Sequence, residues 1–111
     1  MEDKELEVLR DSIRNIDKDM AALFEKRLAL SRSVAQRKLK AEIPIFDGER
    51  EKKNIEALSS LIEETTLRPD FIRWYRMLMD ISKKVQKELI EGTKNDRRTA
   101  RHRQKNYIFQ R

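Results

Sequence analysis

Five polar side chains occupy positions where the sequence otherwise repeats apolar residues at helical spacing. Two are cations, and the others are a carboxylate, a hydroxyl and an amide. In chain order they are Arg27, Lys38, Glu51, Ser82 and Gln86. Burying unpaired charge costs several kcal/mol, and one carboxylate can neutralise only one of the two cations. The set therefore predicts a pocket that binds a small dianion, because a ligand would supply the missing negative charge.

A polar residue in a helical seam also has a structural use, since one buried polar side chain can fix the alignment of packed helices. For Ser82 or Gln86 taken alone, we favour this interpretation. It does not account for the whole set, because register control does not require two buried cations. The set offers no nucleophile, metal or near-neutral base, so it suits a reaction driven by binding and by hydrogen bonds to developing charge.

The two cations belong to one predicted helix. Apolar residues repeat at steps of three and four along Leu6–Lys40, which predicts a long first helix. Arg27 and Lys38 are 11 residues apart in the sequence. At about 100° per residue they share a face, about three turns and roughly 16 Å apart.

Two further helices follow a short connector. Pro44 ends the first helix because it lacks a backbone N–H and disfavours helical angles in the preceding residue, and Asp47 suits the N-cap of the second. Pro69 suits the first turn of the third helix, whose repeat runs to about Leu89 before Gly92 breaks it. The sequence thus predicts an all-α, three-helix chain with a long first helix and two shorter ones.

The first helix is too long for a compact chain of this size. About 35 residues span roughly 50 Å, whereas a compact chain of this length has a diameter of roughly 34 Å. We therefore expect an intertwined homodimer. Arg10 lies about 100° round the helix from the face of Arg27 and Lys38, so it could reach the pocket of the partner subunit.

Composition removes several classes of site. The chain has no Cys, which excludes disulfides and thiolate chemistry, and its one His, His102, lies in a polar segment. We therefore expect no metal site. The first residues are acidic and lack an apolar core, so we expect neither a signal peptide nor a membrane anchor, and we expect a cytoplasmic protein.

The net charge of +6 belongs mainly to the C-terminal end. Residues 1–90 carry 19 Lys and Arg against 18 Asp and Glu, and residues 91–111 carry 7 against 2. We therefore divide the chain into a helical domain, 1–90, and a basic C-terminal extension, 91–111. The extension could bind nucleic acid or dock on a pathway-enzyme partner, but its composition favours a solvated segment, and we do not expect nucleic-acid binding.

An ordered set of residues across the three helices resembles the all-helical chorismate mutases. The matching positions are Leu9, Arg10, Ile13, Ile16, Asp17, Arg27, Lys38, Pro44, Asp47, Arg50, Glu51, Ser82 and Gln86. The resemblance covers about residues 5–90. It implies a chorismate mutase domain that forms an intertwined homodimer and rearranges chorismate to prephenate without a cofactor, in phenylalanine and tyrosine biosynthesis.

The resemblance also implies a role for each cation and for the amide. Arg27, with Arg10 of the partner subunit, would bind the substrate carboxylates. Lys38 and Gln86 would donate hydrogen bonds to the ether oxygen, which gains negative charge as its C–O bond breaks.

The remaining site residues would complete the pocket. Glu51, with the backbone of Asp47, would hold the ring hydroxyl, and Arg50 and Ser82 would add to the polar wall. An isochorismate pyruvate lyase resembles the same fold and uses a similar cationic pocket, although the pairing of Glu51 with Gln86 favours the mutase. A helical dimerisation module with a basic nucleic-acid-binding tail and no catalysis is the alternative from another class.

Overall fold

A computed structural model describes the backbone of residues 3–109 and the side chains of residues 3–96. The helices are α1 (Lys4–Ala41), α2 (Gly48–Ser59) and α3 (Arg68–Phe109), and a short 3₁₀-helix, Thr65–Leu67, precedes α3. The described backbone contains no strand, and the predicted all-α, three-helix chain is confirmed. Compact packing divides the chain into two units, Met1–Leu30 and Ser31–Arg111.

The first unit is one helical stretch with an exposed apolar face. Asp3 caps its start, since Oδ1 of Asp3 accepts a hydrogen bond from the backbone N–H of Leu6 at 3.1 Å. Its apolar repeat remains between 41% and 63% exposed in the single chain, and this repeat comprises Leu6, Leu9, Ile13, Ile16, Met20 and Leu23. Residues of this type are usually found in cores, so this face requires a covering surface.

The second unit contains the small core of the single chain. Ser31 and Ala35 on α1 are buried, as are Tyr75 and Met79 on α3. Phe71 stacks on Tyr75 with ring centroids 5.9 Å apart. The buried residues Ser31 and Ala35 of α1 do not belong to the apolar repeat predicted from the sequence. That repeat continues through Leu30 and Val34, and both of these side chains are exposed.

The connector between α1 and α2 follows the sequence-based prediction. The backbone of Glu42 adopts a left-handed conformation with φ of 56°, and the N–H of Ile43 donates to the carbonyl of Lys38 at 2.9 Å. Pro44 lies in the connector, and Asp47 is the N-cap of α2, accepting from the N–H of Arg50 at 3.1 Å. The predicted helix end and helix start are both confirmed.

The predicted end of the third helix near Gly92 is wrong. α3 runs for 42 residues and is longer than α1, which has 38, so it is not one of two shorter helices. A glycine inside a helix costs only about 1 kcal/mol relative to alanine, which weakens a helix without ending it. Thr93 donates its hydroxyl to the carbonyl of Leu89 at 2.9 Å. The side chains of residues 97–111, with His102 and most of the basic residues of the predicted extension, lie outside the described residues. The boundary at 90/91 stays a prediction.

Arg68 joins the start of α3 to the loop after α2, and its removal should destabilise the fold. Its Nε donates to the carbonyl of Ile62 at 3.0 Å, and its Nη2 donates to that of Ser60 at 3.4 Å. Arg68→Met should lower the free energy of unfolding by about 1–2 kcal/mol, because two hydrogen bonds from a charged group, one of them partly buried, are lost.

Arg73→Met is the matched control for urea denaturation at one protein concentration. Arg73 pairs with Asp70 at 2.8 Å on the exposed surface of the same helix. Such pairs contribute about 0.2–0.5 kcal/mol. Equal losses of unfolding free energy in the Arg68→Met and Arg73→Met variants would show that Arg68 has no special role in closing the loop.

Candidate active site

Six of the eight predicted site residues belong to the second unit. Lys38 lies on α1, and Asp47 caps α2. Two more lie on α2 and two on α3, namely Arg50, Glu51, Ser82 and Gln86. Arg10 and Arg27 belong to the first unit.

The ammonium group of Lys38 is held against the connector. Lys38 is half-buried, and its Nζ donates to the carbonyl of Ile45 at 2.8 Å. An ammonium has three N–H donors, so two remain for another acceptor. The connector thus fixes the position of a cation that can still donate hydrogen bonds.

Asp47 and Arg50 lie with Lys38 around one groove. The groove has a volume of about 890 Å³, and all three residues line it together with the connector. The carboxylate of Asp47 caps the helix, and the side chain of Arg50 is exposed. Lys52 and Glu49 also line the groove, so it combines three cations and two carboxylates with the N-terminal end of α2, whose backbone N–H groups favour negative charge.

Glu51 pairs with a lysine that the sequence analysis did not identify. Its Oε1 lies 3.1 Å from Nζ of Lys83. Lys83 also lies 3.3 Å from Oδ1 of Asp80, and its Nζ lies 5.1 Å from the centre of the Phe46 ring. The hydrogen bond to Glu51, ahead of the smaller opposing effect of burial, raises the pKa of Lys83 above its ordinary value of 10.5. Lys83 is therefore a cation at neutral pH.

Ser82 and Gln86 are one turn apart on α3 and are 7% and 8% exposed. The hydroxyl of Ser82 is hydrogen-bonded to that of Ser31 on α1, with 2.5 Å between the oxygens. Oε1 of Gln86 is buried and has no hydrogen-bond partner among the described residues. A buried amide oxygen without a partner costs about 1–3 kcal/mol, so the amide of Gln86 is a buried polar group that a bound molecule could satisfy.

The two predicted site arginines of the first unit differ in exposure. Arg10 is exposed, whereas Arg27 is half-buried, with its Nη1 atom buried. Leu28, beside Arg27, is also buried. The predicted contribution of Arg10 to the pocket of the partner subunit stays a prediction.

Three groups that contact the predicted site residues were missed from the sequence. Ser31 lies four residues after Arg27 and seven before Lys38, and this helical spacing could have identified it. Lys83 stands three residues before Gln86 but at no seam position, so its pattern is that of an ordinary surface lysine. The carbonyl of Ile45 has no sequence signal, because every residue carries one.

The described side chains define an all-helical protein with a groove of mixed charge around Lys38, Asp47 and Arg50. Glu51, Ser82 and Gln86 are not among the residues that line this groove. Within residues 3–96, no three His, Asp or Glu side chains gather in a way that could hold a metal ion. Of the helices in the part of the chain that the structure describes, none is long and apolar enough to cross a membrane.

Comparison with known proteins identifies the family. Residues 9–87 match the family chorismate mutase type II. The chain belongs to this family of isomerases, and the resemblance found in the sequence is confirmed. The match spans all eight predicted site residues, from Arg10 to Gln86, while α3 continues beyond it to Phe109.

Curated relatives agree with this assignment. The chain is 31% identical over 93 residues to the chorismate mutase of Methanocaldococcus jannaschii, covering 83% of this chain and 94% of the relative. It is 36% identical over 88 residues to the bifunctional chorismate mutase/prephenate dehydratase of Buchnera aphidicola subsp. Schizaphis graminum, covering 78% of this chain and 23% of the relative. A protein of the same bifunctional name from Enterobacter agglomerans is 34% identical over 94 residues, 84% of this chain and 24% of the relative. The chain thus spans about a quarter of the bifunctional relatives' length.

Proposed function

We propose that this chain catalyses the rearrangement of chorismate to prephenate in phenylalanine and tyrosine biosynthesis. The family match over residues 9–87 carries this proposal, because it contains every residue of the predicted site. The reaction is an isomerisation in which one C–O bond breaks and one C–C bond forms within a single molecule. It consumes no proton, electron or co-reactant, in keeping with a site made of hydrogen-bond donors and fixed charges.

The chemical role of the site is to stabilise charge on the ether oxygen. Lys38 has two N–H donors beyond the one held by Ile45, and the amide Nε2 of Gln86 can donate as well. We assign both donors to the ether oxygen, where negative charge develops in the transition state. Fixed donors of this kind accelerate a reaction because they bind the transition state more strongly than the substrate.

The other site residues would bind and orient the substrate. Arg27 and Arg10 of the partner subunit are assigned to the two carboxylates. Glu51 and the backbone of Asp47 are assigned to the ring hydroxyl. The polar wall is then completed by Arg50 and Ser82.

We propose that two copies of the chain form an intertwined homodimer through the exposed face of α1. The support is the line of Leu, Ile and Met residues from Leu6 to Leu23, which is left at least 41% exposed in the single chain. A second copy would cover this face, and the same packing would bring Arg10 to the site of the other subunit. The pocket would then be complete only in the dimer.

Ile13→Asp should dissociate the dimer and abolish turnover. Ile13 lies near the middle of the exposed face and is 57% exposed in the single chain. A carboxylate there would be buried without a partner in the dimer, which costs several kcal/mol. Light scattering should give the mass of one chain, and activity should fall to background.

Leu61→Asp is the matched control, because Leu61 is also exposed but lies outside α1, after the end of α2. This variant should remain a dimer with turnover close to that of the wild type. A dimeric, active Ile13→Asp variant would refute the proposed interface.

The reaction itself is tested by giving the purified protein chorismate and isochorismate in separate experiments and identifying the products. The proposal expects prephenate from chorismate, with no pyruvate from isochorismate. Pyruvate from isochorismate, without prephenate from chorismate, would assign the site to a lyase. Inactivity with both substrates would favour a non-catalytic helical module.

The cytoplasmic location and a pathway-enzyme partner also remain proposals. Support for a partner comes from the names of the Buchnera and Enterobacter relatives, which combine chorismate mutase with prephenate dehydratase. An enzyme that consumes prephenate is therefore the class of partner we propose for this chain.

A further inference from the structure

We propose that Lys83 is a positioning residue of this site, which holds the Glu51 carboxylate in the orientation that accepts a hydrogen bond from the substrate's ring hydroxyl. The inference rests on the proposed function and extends it to a residue outside the predicted set. Lys83 would act through Glu51 and would not touch the substrate itself.

The Lys83–Glu51 ion pair joins two helices. Its two side chains lie on α3 and α2 and are 29% and 26% exposed. Other ion pairs of the described residues, such as Lys84–Glu88 and Arg73–Asp70, connect neighbours on one helix and are far more exposed. A partly shielded pair is less weakened by solvent and salt than an exposed one, so it can fix a side chain.

Two further contacts fix the position of the Lys83 ammonium. Asp80 lies one turn earlier on α3, at 3.3 Å, but its side chain is 73% exposed. The ring of Phe46 lies on the connector, 5.1 Å from Nζ, where a cation is attracted to the face of an aromatic ring. Lys83 therefore touches α2, the connector and its own helix, and Glu51 is its most shielded anionic partner.

This arrangement leaves part of the Glu51 carboxylate available. Lys83 contacts Oε1, and a carboxylate has two oxygens that together accept about four hydrogen bonds. A free glutamate side chain samples many rotamers, and fixing it before the substrate arrives lowers the cost of binding. Lys83 also supplies a positive charge that offsets the repulsion between Glu51 and a dianionic substrate.

Lys83→Met tests the proposal, because methionine keeps much of the side-chain length and removes the charge. We expect kcat/KM for chorismate to fall roughly 10- to 100-fold, as is typical when a contacting group is misplaced. Lys83→Arg should recover most of the loss. Lys84→Met is the matched control, since Lys84 is the next residue, is exposed and pairs with Glu88 at 3.8 Å, and it should behave as the wild type.

A double-variant cycle separates positioning from a general effect on the fold. If Lys83 acts through Glu51, Lys83→Met should cost little in a Glu51→Gln background, because the interaction is already broken. Equal costs in both backgrounds would overturn the proposal, as would wild-type kinetics of Lys83→Met. Lys83→Gln provides a second variant if Lys83→Met does not fold, as judged by circular dichroism.

Assaying the wild-type protein in parallel distinguishes a failure of the proposed function from a failure of the proposed role of Lys83. No prephenate from the wild type would overturn both the proposed function and the role of Lys83. Normal wild-type turnover with unaffected Lys83 variants would overturn the role of Lys83 alone.

Discussion

Lys38→Ala should lower kcat for chorismate by at least about 10²- to 10³-fold, the usual effect of removing one donor to developing negative charge. The half-buried ammonium of Lys38 is fixed by the carbonyl of Ile45 at 2.8 Å. A donor held in this way needs no rearrangement when charge appears on the ether oxygen. Steady-state kinetics of the purified variant, compared with the wild type, measure the effect.

Lys40→Ala is the control for a lost positive charge at the end of α1, because Lys40 is exposed and lies in the same last turn. It should retain turnover within about twofold, since an exposed charge contributes little. Because Lys38 also anchors the connector, the Lys38→Ala substitution can weaken substrate binding in addition to slowing the chemical step. A loosened connector would raise KM, whereas a lost transition-state donor lowers kcat. Near-normal kcat in Lys38→Ala would refute the assigned role.

Gln86→Glu should convert a pH-independent donor into one that works only in acid. Gln86 is 8% exposed. A glutamic acid there can donate a hydrogen bond while protonated, and burial favours this neutral form by raising the pKa of the carboxyl group. Above that pKa the carboxylate would repel the charge that develops on the ether oxygen, so kcat should fall by at least about 10²-fold.

The pH profile of kcat tests this second prediction. The wild type should keep its Gln86 donor through neutral and alkaline pH, because an amide does not titrate there. Gln36→Glu places the same change at an exposed position on α1 and should leave the wild-type profile unchanged. A flat profile in Gln86→Glu would contradict the role of Gln86.

The ends of the first two helices could be predicted because they depend on local chemistry. Pro44 cannot continue a helix, and Asp47 supplies the side-chain acceptor that the first N–H groups of α2 need. The predicted helix end near Gly92 also rested on local chemistry, but it was wrong. The preference of glycine against a helix is a small energy that neighbouring helical turns can outweigh. The length of α3 therefore could not be inferred from the break in its apolar repeat.

The site was partly predictable because a polar residue in an apolar repeat is conspicuous. This signal predicted Lys38, Ser82 and Gln86 as site residues. Their roles stay predictions, and the structure shows that Ser82 and Gln86 are buried on α3. The signal could not point to Lys83, whose proposed role arises only because the packing of α2 on α3 brings Glu51 within 3.1 Å of it. Contacts of this kind depend on tertiary geometry, which no spacing within one helix encodes.

The most direct test of the central claim is the rate of prephenate formation from chorismate by the wild type and by the double variant Lys38→Ala/Gln86→Ala, with the product identified by nuclear magnetic resonance. We expect stoichiometric prephenate from the wild type and a rate close to the uncatalysed one from a double variant that is still folded. Equal rates in the two proteins, or no prephenate from the wild type, would contradict the claim that these two donors on α1 and α3 perform the chemistry.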